Sequence, residues 1–249
     1  MLTLTPIYKK LPVKNLCINR CIKKRSFSFP SPIINIPQKI AILDEEFSKN
    51  NYQGLTNSPS ITTLEGKNNI LLSAPHAVSH FRNKKLKYGE QYTGGIVKYL
   101  HEKTYSHAII KSKTDGTDPN WINGTWYKNK IMNITKKNNI SFLIDLHALN
   151  PNRQNEIVLC TNNLKNIQEN KEFLTTFISI LKMHGFKNIE VDTIYKANAS
   201  YNISNYISKK AGIPCFQIEV NSRLLDPKNA NKLKHFLLAL EDYINTQKK

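Results

Sequence analysis

Apolar positions along this chain fall into short unbroken runs that alternate with longer stretches of helical spacing. The clearest run is Ser141–Ala148, SFLIDLHA, where Phe142, Leu143, Ile144 and Leu146 are apolar and Asn-rich or Asn-Pro sequence lies on either side. A run this apolar suits a strand covered on both faces. Similar runs at 69–74 (NILLSA), 106–111 (SHAIIK), 156–160 (EIVLC) and 215–220 (CFQIEV) predict further buried strands, with a brief one at 188–191. Between them, apolar spacing of three and four predicts helices over 91–103, 121–138, 163–184, 203–210 and 229–245. Gly185 and the Gly-Ile-Pro at 212–214 supply helix stops. Residues 44–63 show neither period and read as an irregular lead-in. Strands alternating with helices in this way argue for a three-layer α/β domain, its central sheet mainly parallel or mixed, with helices on both faces.

Composition changes that picture only at the amino-terminal end. The net charge is +18, and residues 1–43 carry eight Lys or Arg and no acidic residue, leaving +10 for the rest. The chain therefore divides into a basic, acid-free segment at 1–43, an arm or a targeting-like sequence, and one domain at 44–249. Positive charge of this size attracts nucleic acid non-specifically. The lysines, however, are scattered through a chain rich in Lys, Asn and Ile, and only Tyr8, Phe27 and Phe29 interleave aromatics with the basic tail. No apolar run approaches the roughly 18 residues of a membrane span. The four cysteines, Cys17, Cys21, Cys160 and Cys215, make neither a disulfide scaffold nor a zinc knuckle. A reducing, cytoplasmic setting is the expectation, with organelle targeting by the basic end as the alternative. Gly94-Gly95 lacks the context of a nucleotide-binding loop.

The chemistry gathers at strand ends. NILLSA runs into Pro75-His76, with His80 four residues on; the central strand ends with Asp145 and His147; CFQIEV carries Glu219 in apolar surroundings. Positions i and i+2 of a strand share a face, so Asp145 and His147 leave the sheet on the same side. Ligands of open α/β sheets bind outside the carboxyl ends of the strands. Two histidines, an acidic residue and a further carboxylate are the parts of a catalytic zinc site with a general base. His76 and His147 are the imidazoles; the third ligand is Glu90, in YGEQYTGG, or His80. Asp145 is placed to orient a ligating histidine.

In order and spacing, SAPHAVSH, GEQYTGG, DLHA and QIEVNSRLL resemble the N-formylglutamate amidohydrolase family, related to the zinc carboxypeptidases and the aspartoacylase and succinylglutamate desuccinylase group. The resemblance covers roughly residues 65–245. It implies a phosphorylase/hydrolase-like fold, one zinc held by His76, Glu90 and His147, and Glu219 as the catalytic carboxylate. It further implies amide hydrolysis in a small N-acyl amino acid or peptide that carries a carboxylate. Relatives often carry an Asp-x-Asn-Arg motif where this chain has Asp118, Asn120 and Trp121. Asn120 then remains a substrate-binding candidate, and Arg153 or Arg223 is left to take the place of the missing arginine. Within enzymes the alternative is a carboxypeptidase-like peptidase; outside them, a basic nucleic-acid-binding protein with structural histidines.

Overall fold

The computed structural model describes residues 35–248. The segment 1–34, with Cys17, Cys21, Tyr8, Phe27 and Phe29, lies outside the described residues. In chain order the elements are helix α1 (Ile36–Tyr52), strands β1 (Ile61–Leu64), β2 (Ile70–Ala74), β3 (His80–Arg82) and β4 (Lys85–Lys87), helix α2 (Thr93–Thr104) and β5 (His107–Lys111). Then come α3 (Trp126–Lys137), β6 (Phe142–Leu149), β7 (Ile157–Cys160), a 3-10 turn (Lys165–Ile167), α4 (Lys171–Met183) and β8 (Ile189–Val191). The chain finishes with α5 (Ile203–Ala211), β9 (Cys215–Asn221), α6 (Ser222–Leu225) and α7 (Ala230–Gln247).

Seven strands form one mixed sheet in the order β1-β5-β2-β6-β9-β7-β8. The central strands β5, β2, β6 and β9 are mutually parallel, whereas β1 pairs antiparallel to β5, and β7 pairs antiparallel to β9 and parallel to β8. Helices cover both faces. Ile70, Leu72, Ile144 and Ile218 pack under α1, α2, α4 and α7, and Leu71, Leu143, Ile109 and Cys215 pack under α3 and α5. This is the three-layer α/β arrangement that the alternation of patterns predicts.

Register puts the second face in rows. Leu71, Leu143 and Cys215 lie side by side across β2, β6 and β9; two residues on, Ser73, Asp145 and Gln217 form the next row; two further on, His147 pairs with Glu219. One face of the sheet thus passes from apolar to polar to ionisable towards the carboxyl ends of its strands.

Several sequence expectations need correction. Residues 44–63 are not irregular: α1 runs to Tyr52 and β1 pairs with β5 at the sheet edge. The start of α1 carries a capping box, Asn35 receiving the Gln38 amide while the Gln38 side chain receives that of Asn35, with Pro37 in the first turn. The helix expected from 121 begins at Trp126, where Thr125 caps it, which frees Trp121 to stand in a loop. The single helix expected over 163–184 is a 3-10 turn and α4, separated by Gln168 and Glu169 at positive φ. Gly94 and Gly95 are packing residues: a Cβ on Gly94 would lie 2.5 Å from the Phe47 ring, and one on Gly95 2.8 Å from the Ile40 carbonyl. Close approach of α1 to α2 requires glycine at both.

That approach also positions the site. Asp44 of α1 is buried and accepts hydrogen bonds from the Gly95 and Tyr92 amides and the Tyr52 hydroxyl. It caps α2, whose own leading residue offers no side-chain cap. Glu90, three residues before that helix, is held where the cap directs it.

Candidate metal centre and cleft

His76 stands just past β2, in a segment buried from Ile70 to His80. Its carbonyl accepts the Glu90 amide at 2.7 Å, so the two segments are laced together by backbone before their side chains meet. Glu90 Oε1 lies 2.8 Å from His76 Nδ1, and Glu90 Oε2 lies 3.2 Å from His147 Nδ1 and accepts the Ala148 amide at 3.0 Å. The two Nδ1 atoms are 3.2 Å apart. One ligand atom each from His76, Glu90 and His147 falls within 4.8 Å of the others, a group that could hold a metal ion.

Behind the cluster, both imidazoles are backed in the same way. His76 Nε2 lies 2.8 Å from Asp118 Oδ1, and His147 Nε2 lies 3.1 Å from Asp145 Oδ2. Asp145, fully buried, also accepts from the Ser73 hydroxyl at 2.7 Å. A carboxylate on one ring nitrogen fixes the tautomer and leaves the other nitrogen as the ligand. Here both free nitrogens are Nδ1, and both face the same point.

His80, His76 and Asp118 make a second group that could hold a metal ion. In it, His80 stacks on His76 with ring centroids 3.9 Å apart, and His80 Nε2 is 3.6 Å from Asp118. This group shares His76 with the first but draws on His80 and Asp118 in place of Glu90 and His147.

The charge balance follows from burial and neighbours. Burial alone would strip the proton from His76; the charge of Glu90, then the hydrogen bonds its ring donates to Asp118 and Glu90, reverse this and hold its pKa up to about 9. His147 is held up likewise, burial being overcome by Glu90 and Asp145. Burial and the charge on His76 push His80 down to about 4. The Glu219 carboxyl is raised chiefly by burial and further by Glu90, with His147 pulling the other way. Its Oε1 accepts from the Gln217 amide at 2.8 Å.

A cleft of about 440 Å³ opens over this cluster, lined by His76, Glu90, His147, Glu219, Asn120 and Trp121 among others. Its far wall is the loop 193–202 between β8 and α5. Trp121 packs at a tilt against Tyr201, ring centroids 4.6 Å apart, and the buried Lys128 ammonium donates to the carbonyls of Ile122 and Tyr201, tying the two wall loops together. Asn120 lines the cleft, but its side chain is engaged: Oδ1 accepts the Ile203 amide at 2.7 Å.

Arg153 and Arg223 are not brought to this cleft. Arg153 stands in the turn after β6 and Arg223 lies in α6, and Arg223 donates to the Arg153 carbonyl at 3.2 Å. Arg223 lines a separate cavity of about 540 Å³ that adjoins the cleft at Glu90 and Ala148. The arginine that does line the cleft is Arg82, which no sequence argument singled out. It is carried by the β3–β4 hairpin, whose two-residue turn, Asn83-Lys84, has positive φ at both positions. The Asn was the available signal; without a following Gly it was too faint to read. Asp118 was read only as part of a motif, and its contact with His76 comes from the loop after β5, across the sheet.

No family model matches the sequence, and no curated protein matches it. Among solved structures the chain is similar to the gene product Atu2144 of Agrobacterium tumefaciens, with a TM-score of 0.55 at 10% identity over 76% of this chain and 93% of that one. It is similar also to a succinylglutamate desuccinylase of Chromobacterium violaceum (TM-score 0.48, 11% identity, 77% and 69% of the two chains). A metallo-carboxypeptidase of Burkholderia cenocepacia gives a TM-score of 0.47 at 13% identity over 83% and 69%. Likeness at these identities is likeness of fold. Among the described residues no helix is long and apolar enough to cross a membrane.

Proposed function

We propose that the protein is a zinc-dependent hydrolase that cleaves the amide bond of a small N-acyl amino acid, N-formylglutamate-like, or of a peptide. The observation that carries this reading is the pair of inward-facing Nδ1 atoms, 3.2 Å apart, with Glu90 against both and a buried carboxylate behind each ring. Two imidazole nitrogens and one carboxylate, with the cleft open above them, are the donor set of a catalytic zinc site. His76, His147 and Glu90 would hold the ion. His80 is set aside as third ligand because it stacks on the face of the His76 ring with its Nε2 towards Asp118, and groups with those two residues instead of with Glu90 and His147. When bound, zinc supplies Lewis acidity, polarising the scissile carbonyl and bringing the acidity of water close to neutral pH.

The chain's own residues supply the rest. Glu219 neighbours His147 across the sheet and lines the cleft, so it is placed to take the proton of the attacking water and return it to the leaving amine. Its raised pKa makes it the stronger base once ionised. Asp118 and Asp145 hold the two rings in place. The peptidase alternative draws on one further observation: the adjoining cavity at Glu90 and Ala148 gives a longer chain room on the second side of the centre.

The test is metal content by mass spectrometry for the wild type and His147→Ala, followed by a panel of N-acyl amino acids and short peptides. The expected result is about one zinc per chain, lost in the variant, with amide cleavage abolished by Glu219→Gln while its zinc stays. Absence of zinc after reconstitution would overturn the reading.

A further inference from the structure

The β3–β4 hairpin stands outside the seven-stranded sheet and pairs only with itself. Register sets Phe81 directly opposite Leu86, with His80 opposite Lys87 and Arg82 opposite Lys85. Alternation along a strand therefore puts Phe81 and Leu86 on one face, and His80, Arg82, Lys85 and Lys87 on the other. The second face anchors the hairpin. His80 stacks on His76, Arg82 Nε donates to Asp118 at 2.7 Å, and the guanidinium carbon lies 4.9 Å from the centre of the Trp121 ring. The rest stands in water: Phe81 and every residue from Asn83 to Tyr88 are exposed. Phe81 is 38% exposed, Leu86 43%, and Tyr88, two residues past Leu86, 80%. A cross-strand pair such as Phe81 and Leu86 steadies a short hairpin. Three large apolar side chains left in water on so small an element nonetheless mark a surface that meets something else.

Charge decides what that is. No acidic residue lies between Glu65 and Glu90, and among the described residues Lys84, Lys85 and Lys87 make no ion pair. Asp118, which meets the anchored face, is spent on His76 and Arg82. A second copy of this chain on the same patch would set lysine against lysine. A single nucleic-acid strand wants aromatic and basic side chains together along one groove, whereas here they occupy opposite faces. A bilayer with anionic headgroups suits both faces at once. Its interface takes apolar side chains at the boundary of headgroups and acyl chains, while lysine stems reach back to the phosphates. Strands of three residues span about 10 Å, the depth of that boundary.

We propose that the β3–β4 hairpin is a membrane-docking element, which sets Phe81, Leu86 and Tyr88 into the interface of an anionic lipid surface and holds them there with Lys84, Lys85 and Lys87. The proposal goes beyond the hydrolase reading and stands without it. Arg82 of the same hairpin lines the cleft and Tyr88 lines the adjoining cavity, so docking brings both openings beside the lipid headgroups.

The test is co-sedimentation of the full-length protein with vesicles of phosphatidylcholine, alone or with about one third phosphatidylserine. Binding to the anionic vesicles is expected, with little to the neutral ones, and it should weaken as salt rises. Joint Lys84→Gln, Lys85→Gln and Lys87→Gln should weaken it about hundredfold, or about fivefold per lysine. Leu86→Ser with Tyr88→Ser leaves the charge unchanged and should weaken it about tenfold or more. A control with the same loss of charge, Lys136→Gln, Lys209→Gln and Lys210→Gln, changes exposed lysines in the last turns of α3 and α5. These helices lead into the amino ends of β6 and β9, the edge of the sheet opposite the cleft, and the control should bind within about threefold of the wild type. Circular dichroism establishes that each variant is folded, and either set of hairpin substitutions suffices if the other does not fold.

Absence of binding to anionic vesicles would overturn the proposal. So would binding that folded hairpin variants leave unchanged, which would assign it to the basic amino-terminal segment or another surface. Equal loss in the control would reduce the effect to net charge and remove the hairpin from it. Hairpin-dependent binding of an oligothymidylate, with none to vesicles, would replace the lipid surface with nucleic acid. Hairpin-dependent vesicle binding in a protein that cleaves nothing in the amide panel would sink the hydrolase reading and leave this one standing.

Discussion

Asp118→Asn is the perturbation that tests most directly how the centre is built. The substitution keeps the shape and removes the charge. Asp118 is fully buried and uses both oxygens, at 2.8 Å to His76 Nε2 and 2.7 Å to Arg82 Nε. Both partners donate. An asparagine has one acceptor oxygen and one amino group, so whichever partner meets the amino group faces donor against donor. If the oxygen stays with Arg82, whose charge holds it more strongly, His76 loses its backing and its tautomer. Removing such a carboxylate from a metal-bound histidine costs about 10- to 100-fold in affinity, or about 1.4–2.8 kcal/mol. A chelator-competition titration near pH 7.5, with circular dichroism to establish that the variant is folded, reads this directly. Zinc affinity within about twofold of the wild type in a folded variant would refute the reasoning that Asp118 positions His76 as a ligand.

Three further outcomes follow from the same geometry. In metal-free protein His76 has its pKa raised to about 9 from an unfolded value near 6.5, so its contribution to stability is complete below about 6.5 and is lost as pH rises to about 9. With chelator the melting temperature should fall across that window, while zinc affinity rises with pH as the competing proton leaves; a metal-free protein that gains stability there would contradict the assignment. Gly94→Ala puts a methyl 2.5 Å from the Phe47 ring and should destabilise by about 1–3 kcal/mol in urea unfolding, partly recovered by adding Phe47→Leu; an additive pair would show that the contact is not the cause. Lys128→Met removes the ammonium that holds the Ile122 and Tyr201 carbonyls, and leaving buried acceptors unpaired should cost about 1–3 kcal/mol; a variant as stable as the wild type would mean that water replaces the amine.

Legibility in the sequence tracked the range of the interaction that mattered. Buried strands announced themselves because both faces need apolar residues, and His76, Asp145, His147 and Glu219 could be placed at strand ends because the period of two is local. Glu90 was reached from its motif, and its delivery to His147 depends on Asp44 capping α2 from another helix. Asp118 and Arg82 come from a loop and a hairpin whose meeting place is set by the whole sheet, and neither carries a periodic signal. The first helix was overlooked although Asn35-Ile36-Pro37-Gln38 spells a helix start, because prolines earlier in the basic stretch gave it the look of an irregular arm. Trp121 could be noticed as a departure from a motif, but its partnership with Arg82 depends on a helix that begins at residue 126 instead of 121.

The row order on the sheet's second face has an evolutionary consequence. Rows two residues apart along a strand are separated by about 7 Å, enough that the apolar row of Leu71, Leu143 and Cys215 settles folding while His147 and Glu219, two rows away, do not share its packing. Selection on stability and selection on chemistry therefore act on different residues of the same strands. A descendant that exchanged His147 and Glu219 for inert polar residues would keep its apolar core and its strand register, losing only the stability tied to the carboxylates of Asp145 and Glu90 that His147 pairs. Lineages carrying this fold can accordingly shed or rewrite catalysis without first passing through an unfolded intermediate, and thermal stability in such a lineage is no witness to activity.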